Sequence, residues 1–344
     1  GYLQVGRLLE RTQATLATMG QLERYLGHFY NWYDTQTLKP LNPLYISTVD
    51  SGNLAGHLLT LRPGLLALAH APILHPRTFE GLSDALAVLR EHVAAPGLAQ
   101  LDLVAQVLKS LQPAPSGQAA HPALTLAQAR QGLERVRELA YGLLQGYAGP
   151  KHAEALWHCQ AMLRQCEAAR DELTQLAPWP DVPADVSWGR FPPLLAIPTL
   201  QQVATQGATL LPALRARQTE ADTPDDERAW LLATEQAVMA AGERAAERCA
   251  RLEHLADTLA DMAVAEYGFL YDKGSRLLAI GYNLSERRRD DGLYDLLASE
   301  ARLCSFVAIA QGQLPQETWF ALGRQLSDSP GGPVLLSWSG SMFE

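Results

Sequence analysis

DDERAWLLATEQAVMAAGERAAERCARLEHLADTLADMAV, residues 225–264, holds no proline and a single glycine, Gly242. It is dominated by Ala, Leu, Glu and Arg, residues that lose little side-chain freedom in a helix. The run therefore reads as one continuous helix. The same texture extends back to about residue 78: Ala, Leu, Gln, Glu and Arg dominate and strand-like alternation is absent. Pro or Gly clusters near 94–97, 113–117, 149–150 and 178–193 mark the turns. Helices are predicted over 80–93, 98–112, 125–147, 151–176, 198–218 and 225–264, with the stretch from Trp179 to Pro193 as the long irregular link. The fold class is mainly α.

The flanks differ. Leu8, Leu9, Thr12, Leu16, Met19 and Leu22 recur at helical spacing, so residues 1–26 read as an amphipathic helix. His28-Phe29-Tyr30-Asn31-Trp32-Tyr33-Asp34 then crowds aromatic rings with polar groups, and Pro40 and Pro43 hold the chain extended behind it. Ser47-Thr48-Val49-Asp50-Ser51-Gly52-Asn53 leads into Leu54, Leu58, Leu59, Leu61 and Leu65, which places a polar heptapeptide at a helix N-terminus. Pro63-Gly64 is expected to kink or break that helix. After 264, the short apolar runs 267–272 and 277–282 flank Lys273-Gly274-Ser275-Arg276, a hairpin signal. A helix is expected from Asp290 to about Gln311, a shorter one from Pro315 to Leu322-Gly323, and a short strand or extended loop from Pro333 to Trp338.

The chain has 344 residues, 47% hydrophobic and 19% charged, an ordinary globular composition long enough for two domains or one large barrel with an insertion. Lys and Arg number 28 against 37 Asp and Glu, a net charge of −9. That balance disfavours nucleic acid or an anionic membrane as the main partner and suits a neutral ligand. No apolar stretch reaches the roughly 20 residues a bilayer span needs, so direct membrane insertion is not expected. No secretory leader pattern opens the chain. Cys159, Cys166, Cys249 and Cys304 are too sparse for a disulfide scaffold and favour a reducing compartment. The sequence starts without Met and stops at Ser341-Met342-Phe343-Glu344, which is expected of a segment of a longer polypeptide.

Three constellations carry chemistry. The run Thr48 to Asn53, with Asp50 and Asn53, sets side-chain hydrogen-bonding groups where free helix N–H groups point outward; it reads equally as a site for a hydroxylated ligand and as a helix cap. Tyr294 to Arg302 places Asp295, Ser299 and Arg302 near one helical face with Glu300 about 100° from Ser299, either an acid–base pair or a network that locks a first turn. Ser337 to Glu344 joins small residues to the flat face of Trp338 and the carboxylate of Glu344, a combination that sugar sites use, or else a buried Trp beside a turn. His152, His158, Cys159 and Cys166 scatter around one helix, so no metal site is expected, and Glu286 to Asp291 reads first as a solvated loop. No dinucleotide, Walker A, zinc-protease or nucleophile-elbow motif is present, and no cofactor is expected.

These segments together resemble the glycoamylase-like central domain of bacterial cyclic β-1,2-glucan synthases. The stretches that carry the resemblance are His28 to Asp34 through Ser47 to Leu58, Glu266 to Asp272 through Ile280-Gly281-Tyr282, Tyr294 to Arg302, and Leu336 to Glu344. The resemblance implies an (α/α)6 barrel, incomplete here at its C-terminal end, with a large helical insertion and a small β-hairpin. Its domains would be 1–77 (N-terminal helix, aromatic loop and first barrel helix), 78–264 (helical insertion) and 265–344 (barrel segment with hairpin and cleft loops).

The resemblance further implies transglycosylation on linear β-1,2-glucan to give cyclic product. Glu344 is the candidate catalytic residue, and Asp50, Asn53, Asp272, Tyr282, Asp295, Glu300, Arg302 and Trp338 are the candidates for binding substrate. The implied partners are the β-1,2-glucan chain and the other domains of a synthase held at the bacterial inner membrane, with this segment on the cytoplasmic face. A complete carboxylate pair would need residues beyond Glu344. A β-1,2-glucan hydrolase, and a non-catalytic glucan-binding or scaffold module, remain the competing expectations.

Overall fold

A computed structural model describes residues 2–93, 95–112, 124–146, 152–181, 191–295, 300–323 and 326–335. The protein is mainly helical, with small antiparallel sheets, and no closed barrel is identified among the described residues. It divides into two compact units, one of Gly1–Arg11 and Leu66–Leu252, the other of Thr12–Leu65 and Glu253–Glu344.

In the first unit, α3 (Arg77–His92), α4 (Ala95–Leu111), α5 (Leu126–Gly146) and α6 (Ala153–Leu176) each pack on two of the others, α3 on α4 and α6, α5 on α4 and α6. The helical spacing of Leu82, Leu86 and Leu89 on α3 and of Leu101, Val104 and Leu108 on α4 turns one apolar stripe of each inward, and all six are buried. Cys159 and Cys166 belong to this core; their thiols bond to the carbonyls of Ala140 and Leu133 on α5, at 3.2 and 3.1 Å. Burial pushes them up to about 11 and about 12. They are packing residues.

Residues 198–218, expected as one helix, form α7 (Leu200–Thr205) and α8 (Gly207–Thr219). Thr199 and Gln202 cap α7 reciprocally. The break at Gln206 precedes Gly207 and Pro212; the proline supplies no N–H to the Ala208 carbonyl and crowds it, and the junction tightens to a Thr209 N–H bond on the Gln206 carbonyl at 3.1 Å. The long run of 225–264 is α9 (Asp225–Met262), 38 residues. Arg217 ties the α8–α9 turn, donating to both oxygens of Glu227 at 2.8 and 2.7 Å and to Glu220 and Asp222.

The second unit holds the aromatic loop. The N-terminal helix α1 spans Val5–Met19, not the full 26 residues expected, because Arg24–Tyr25 (β1) and His28–Phe29 (β2) pair as a two-residue hairpin. After β3 (Tyr45–Ser47), α2 runs unbroken from Thr48 to Leu68 with Pro63 inside it. Pro63 faces solvent, so water can satisfy the carbonyl it leaves without a donor.

The hairpin expected across 273–276 forms, Tyr271 and Asp272 pairing with Leu278 and Leu277, and it belongs to one of two small sheets. β4 (Tyr271–Asp272), β5 (Leu277–Ala279) and β8 (Leu293–Tyr294) form one; β3, β6 (Gly281–Asn283) and β7 (Arg288–Arg289) form the other. The helix expected from Asp290 begins only at Ala301, as α10 (Ala301–Ala310), because Leu293 and Tyr294 pair with Ala279 and Leu278 instead. α11 (Glu317–Ala321) and the hairpin of β9 (Leu326–Ser329) and β10 (Gly332–Leu335) follow.

α2 and α10 cross at two glycines of α2. A Cβ on Gly52 would lie 2.2 Å from the Cβ of Cys304, and one on Gly56 3.3 Å from Leu303. The core around this crossing includes Tyr30, Ile46, Tyr267, Leu270, Leu278 and Cys304. It fixes the first turn of α2 relative to the aromatic loop.

Candidate functional site

The site is assembled from the loop after β1. Leu26 and Gly27 both adopt positive φ, 51° and 89°, as a tight two-residue hairpin turn requires. Gly27 also has no room for a side chain, since a Cβ there would sit 2.4 Å from the Val264 carbonyl oxygen. The Glu266 N–H donates to the Leu26 carbonyl at 3.0 Å, and His28 Nε2 bonds the Glu266 carbonyl at 2.9 Å. The His28 ring packs edge-on against Tyr267 and Phe269, and burial lowers its pKa despite that bond. Residues 26–28 are thereby clamped to 264–266.

Asn31 joins the loop to the start of α2. Its N–H donates to the Tyr45 carbonyl at 2.9 Å, and its Oδ1 accepts the Ser47 N–H at 3.1 Å. Ser47 caps α2, its Oγ accepting the Asp50 N–H at 3.3 Å, while Ser51 Oγ donates to the Ser47 carbonyl at 2.8 Å. The capping reading of this stretch thus holds for Ser47. The Asp50 side chain is not used in the cap: it is exposed in the first turn, where the helix dipole favours an anion, and bonds no described residue.

Loop 27–32, the α2 face of Asp50, Ser51, Leu54 and Ala55, and residues 262, 263 and 265 enclose a cleft of about 410 Å³. Its lining joins Leu54, Ala55, Met262, Ala263 and Ala265 to the rings of loop 28–32 and to the polar groups of Asn31, Asp50 and Ser51. Trp32 stands at its wall, half exposed. Its ring lies 6.5 Å from that of Tyr45, tilted by 32°. Tyr45 is held in turn: its hydroxyl donates to Asp290 Oδ2 at 2.5 Å, and the Asp290 N–H bonds the Gly281 carbonyl at 3.1 Å. Gly281 makes the space, because a Cβ there would lie 2.2 Å from the Tyr45 hydroxyl. Burial and the Asp290 carboxylate push the Tyr45 hydroxyl well above the usual phenol range. Burial, then the charges of Glu300 and Asp50, push Tyr294 up to about 12. A second groove, of about 460 Å³ between α3 and α4, carries no aromatic ring.

Of the residues proposed from sequence, Asp50 lines the cleft, and Asp50 and Glu300 act on the same tyrosine, Tyr294. Asn53 lies on the next part of α2, its carbonyl bonded to His57 Nδ1 at 2.6 Å. Asp272 closes the β4–β5 turn: Ser275 donates its N–H and Arg289 pairs at 2.7 Å, and both hold the carboxyl below its usual range. That pair draws Arg289 out of the charged run 286–291, whose Arg288 and Glu286 remain an exposed pair at 3.5 Å. Tyr282 stacks on Tyr25 and meets Phe269 edge-on. The Asp295 carbonyl accepts the Gly323 N–H at 2.7 Å. Arg302 is exposed on α10. Trp338, Glu344 and Ser299 lie outside the described residues.

The structure adds Trp32, Asn31, Tyr45 and Tyr294 to the neighbourhood. The sequence signal for Trp32 and Asn31 was the aromatic crowding of 28–34, which does not say which ring faces solvent; Tyr294 opened the Tyr294 to Arg302 constellation, and Tyr45 carried no signal of its own. Among the described residues no group of three His, Cys, Asp or Glu side chains is arranged to hold a metal ion. No helix of the described residues is long and apolar enough to cross a membrane.

Fold and cleft define a mainly helical protein whose second unit presents one cleft lined by a half-exposed tryptophan, an exposed carboxylate and aliphatic side chains. No family model matches the chain. Over 348 aligned residues it is 32% identical to the cyclic beta-(1,2)-glucan synthase NdvB of Rhizobium meliloti (strain 1021). The match takes in 100% of this chain and 10% of that protein, so the chain is related along its whole length to one segment of a much larger synthase.

Proposed function

We propose that this chain is the cyclising, glycoamylase-like part of a cyclic β-1,2-glucan synthase, acting on linear β-1,2-glucan by transglycosylation. The observation that carries the reading is the 32% identity along the whole chain to a segment of the synthase. The cleft supports it, since a lining of aromatic rings, a carboxylate and aliphatic side chains is the chemistry that a pyranose, apolar on its faces and hydroxylated at its rim, requires. In this reading residues 1–77 and 265–344 are segments of an (α/α)6 barrel and 78–264 is a helical insertion. The clustering of Leu66–Leu252 into one unit, together with Gly1–Arg11, supports a separate central helical part, though with bounds other than 78 and 264 and with the first residues of 1–77 on its side. Other parts of a membrane-held parent supply the linear chain. Asp50 and Glu300 belong to the substrate cleft, and Glu344 is the candidate acid.

Cyclisation breaks one β-1,2 bond and forms another. The leaving fragment takes a proton, and the anomeric carbon passes to the chain's own far-end hydroxyl rather than to water. The test is to give the full-length protein linear β-1,2-glucan with no sugar nucleotide and to weigh the products. Rings, each one water lighter than the linear chain of equal length, are expected. Shorter linear chains alone would make the protein a glucanase.

A further inference from the structure

We infer that the cleft between loop 27–32 and the first turn of α2 is a glucosyl subsite in which Trp32 is the stacking platform and Asp50 the hydroxyl acceptor, with Tyr45 as the residue that positions the platform. This rests on the proposed glucan function and adds the ring-binding contacts to it.

Four observations lead there. Trp32 is 50% exposed although it lines a cleft, so much of the side chain is open to a ligand, while the Tyr45 ring neighbours it at 6.5 Å. Asp50 lines the same cleft, exposed and with no hydrogen-bonding partner among the described residues, ready to accept hydroxyl donors. The same lining includes Leu54, Ala55, Met262 and Ala263, apolar surface suited to the C–H face of a pyranose. The volume, about 410 Å³, falls in the range of small-molecule sites, roughly 300–1,000 Å³. A free carboxylate at the rim disfavours a phosphate or carboxylate ligand despite the helix N-terminus beside it. A neutral polyol gains from both the ring and the acid.

The support behind Trp32 explains two otherwise costly features. The Tyr45–Asp290 bond takes a carboxylate into a partly buried setting, and Gly281 gives up a side chain to admit the Tyr45 hydroxyl. Together they fix the Tyr45 ring, and the ring fixes the tilt of Trp32. Tyr45 touches no ligand in this arrangement; it acts through Trp32.

The test is binding of a linear β-1,2-linked glucose trisaccharide, and of its β-1,4-linked isomer, to the full-length protein and its variants by calorimetry, with melting temperatures alongside. Trp32→Ala is expected to weaken β-1,2 binding about tenfold, the scale of one aromatic contact, and Trp32→Tyr to restore part of it. Asp50→Asn should weaken it severalfold. Tyr45→Phe keeps the ring but loses the Asp290 bond, and should weaken binding severalfold while leaving kcat for bound glucan unchanged, a split between KM and kcat that general destabilisation does not produce. Unchanged affinity in a folded Trp32→Ala variant overturns the subsite and leaves the proposed function standing. Trp32-dependent binding of the β-1,4 isomer with none of the β-1,2 sugar supports the subsite and overturns the proposed function. No affinity for either sugar overturns both.

Discussion

Replacing Gly52 by alanine adds one methyl group where α2 crosses α10. The added carbon would lie 2.2 Å from Cys304 Cβ, 2.4 Å from its Cα and 2.6 Å from its Sγ. Carbon atoms pack best at about 3.5–4.0 Å, so the two helices must separate by about 1.3 Å or more at that point. Two of the three atoms belong to the backbone or its first carbon, and no rotamer change moves them. The crossing lies in the core with Tyr267, Leu278 and Ala308, where interiors are close-packed and overpacking costs about 1–3 kcal/mol. At about 2–4 °C per kcal/mol for a domain of 150–250 residues, a loss of about 2–3 kcal/mol lowers the melting temperature by roughly 4–12 °C.

The control is in the same helix. Gly64 has nothing within 4 Å of its missing Cβ, so Gly64→Ala should raise stability by about 0.8–1.0 kcal/mol through helix propensity alone. Thermal and urea melts followed by circular dichroism read both variants. If Gly52→Ala melts at or above the wild-type temperature, the close α2–α10 crossing is wrong, and with it the placement of Asp50 relative to the aromatic loop.

Two further outcomes follow from buried groups. Burial lowers the His28 pKa below its ordinary 6.5, so the unfolded chain binds a proton more readily than the folded one. Stability contributed there is whole above about pH 7 and declines as pH falls through 6.5 towards the lowered value, with a slope of at most about 1.4 kcal/mol per pH unit. Urea midpoints between pH 5.5 and 7.5 should therefore fall less steeply in His28→Phe than in the wild type; equal slopes would refute the burial of a neutral ring. Cys159, Cys166 and Cys304 are buried while Cys249 is partly exposed, so a maleimide at pH 7 should label Cys249 first and the other three only on unfolding. Early labelling of Cys304, measured by peptide mass, would contradict the α2–α10 packing.

The helical part was readable because periodicity and composition agree there. The 225–264 run needs no tertiary partner to exclude other structures, and α9 spans Asp225–Met262. Legibility fails where backbone pairing overrides local pattern. Leu293 and Tyr294 look like the opening of a helix, yet their backbone groups are claimed by Leu278 and Ala279, residues more than ten positions away that no local window contains. Ile280 sits inside an apolar run but divides it between two sheets, since the Thr48 N–H binds its carbonyl and its own N–H binds Gly292.

The site divides the same way. Asp50 is visible as a carboxylate in a first helical turn. Trp32 is one of four aromatic residues within 28–34, and only the folded loop, tied to α2 by the Asn31–Ser47 bond, leaves it exposed while Tyr30 is buried. Asp272 reads as a site carboxylate, but a turn and Arg289 occupy it.

The central claim is transfer without water, and counting reducing ends tests it. When a glucan is cut and its fragment closed into a ring, the linear remainder keeps one reducing end and the ring has none, so the total number stays constant as cyclic material accumulates. Hydrolysis adds one reducing end per cut. With the full-length protein, linear β-1,2-glucan and no sugar nucleotide, the predicted result is a constant reducing-end count with growing material that carries none; a count that rises with each bond broken would contradict the account.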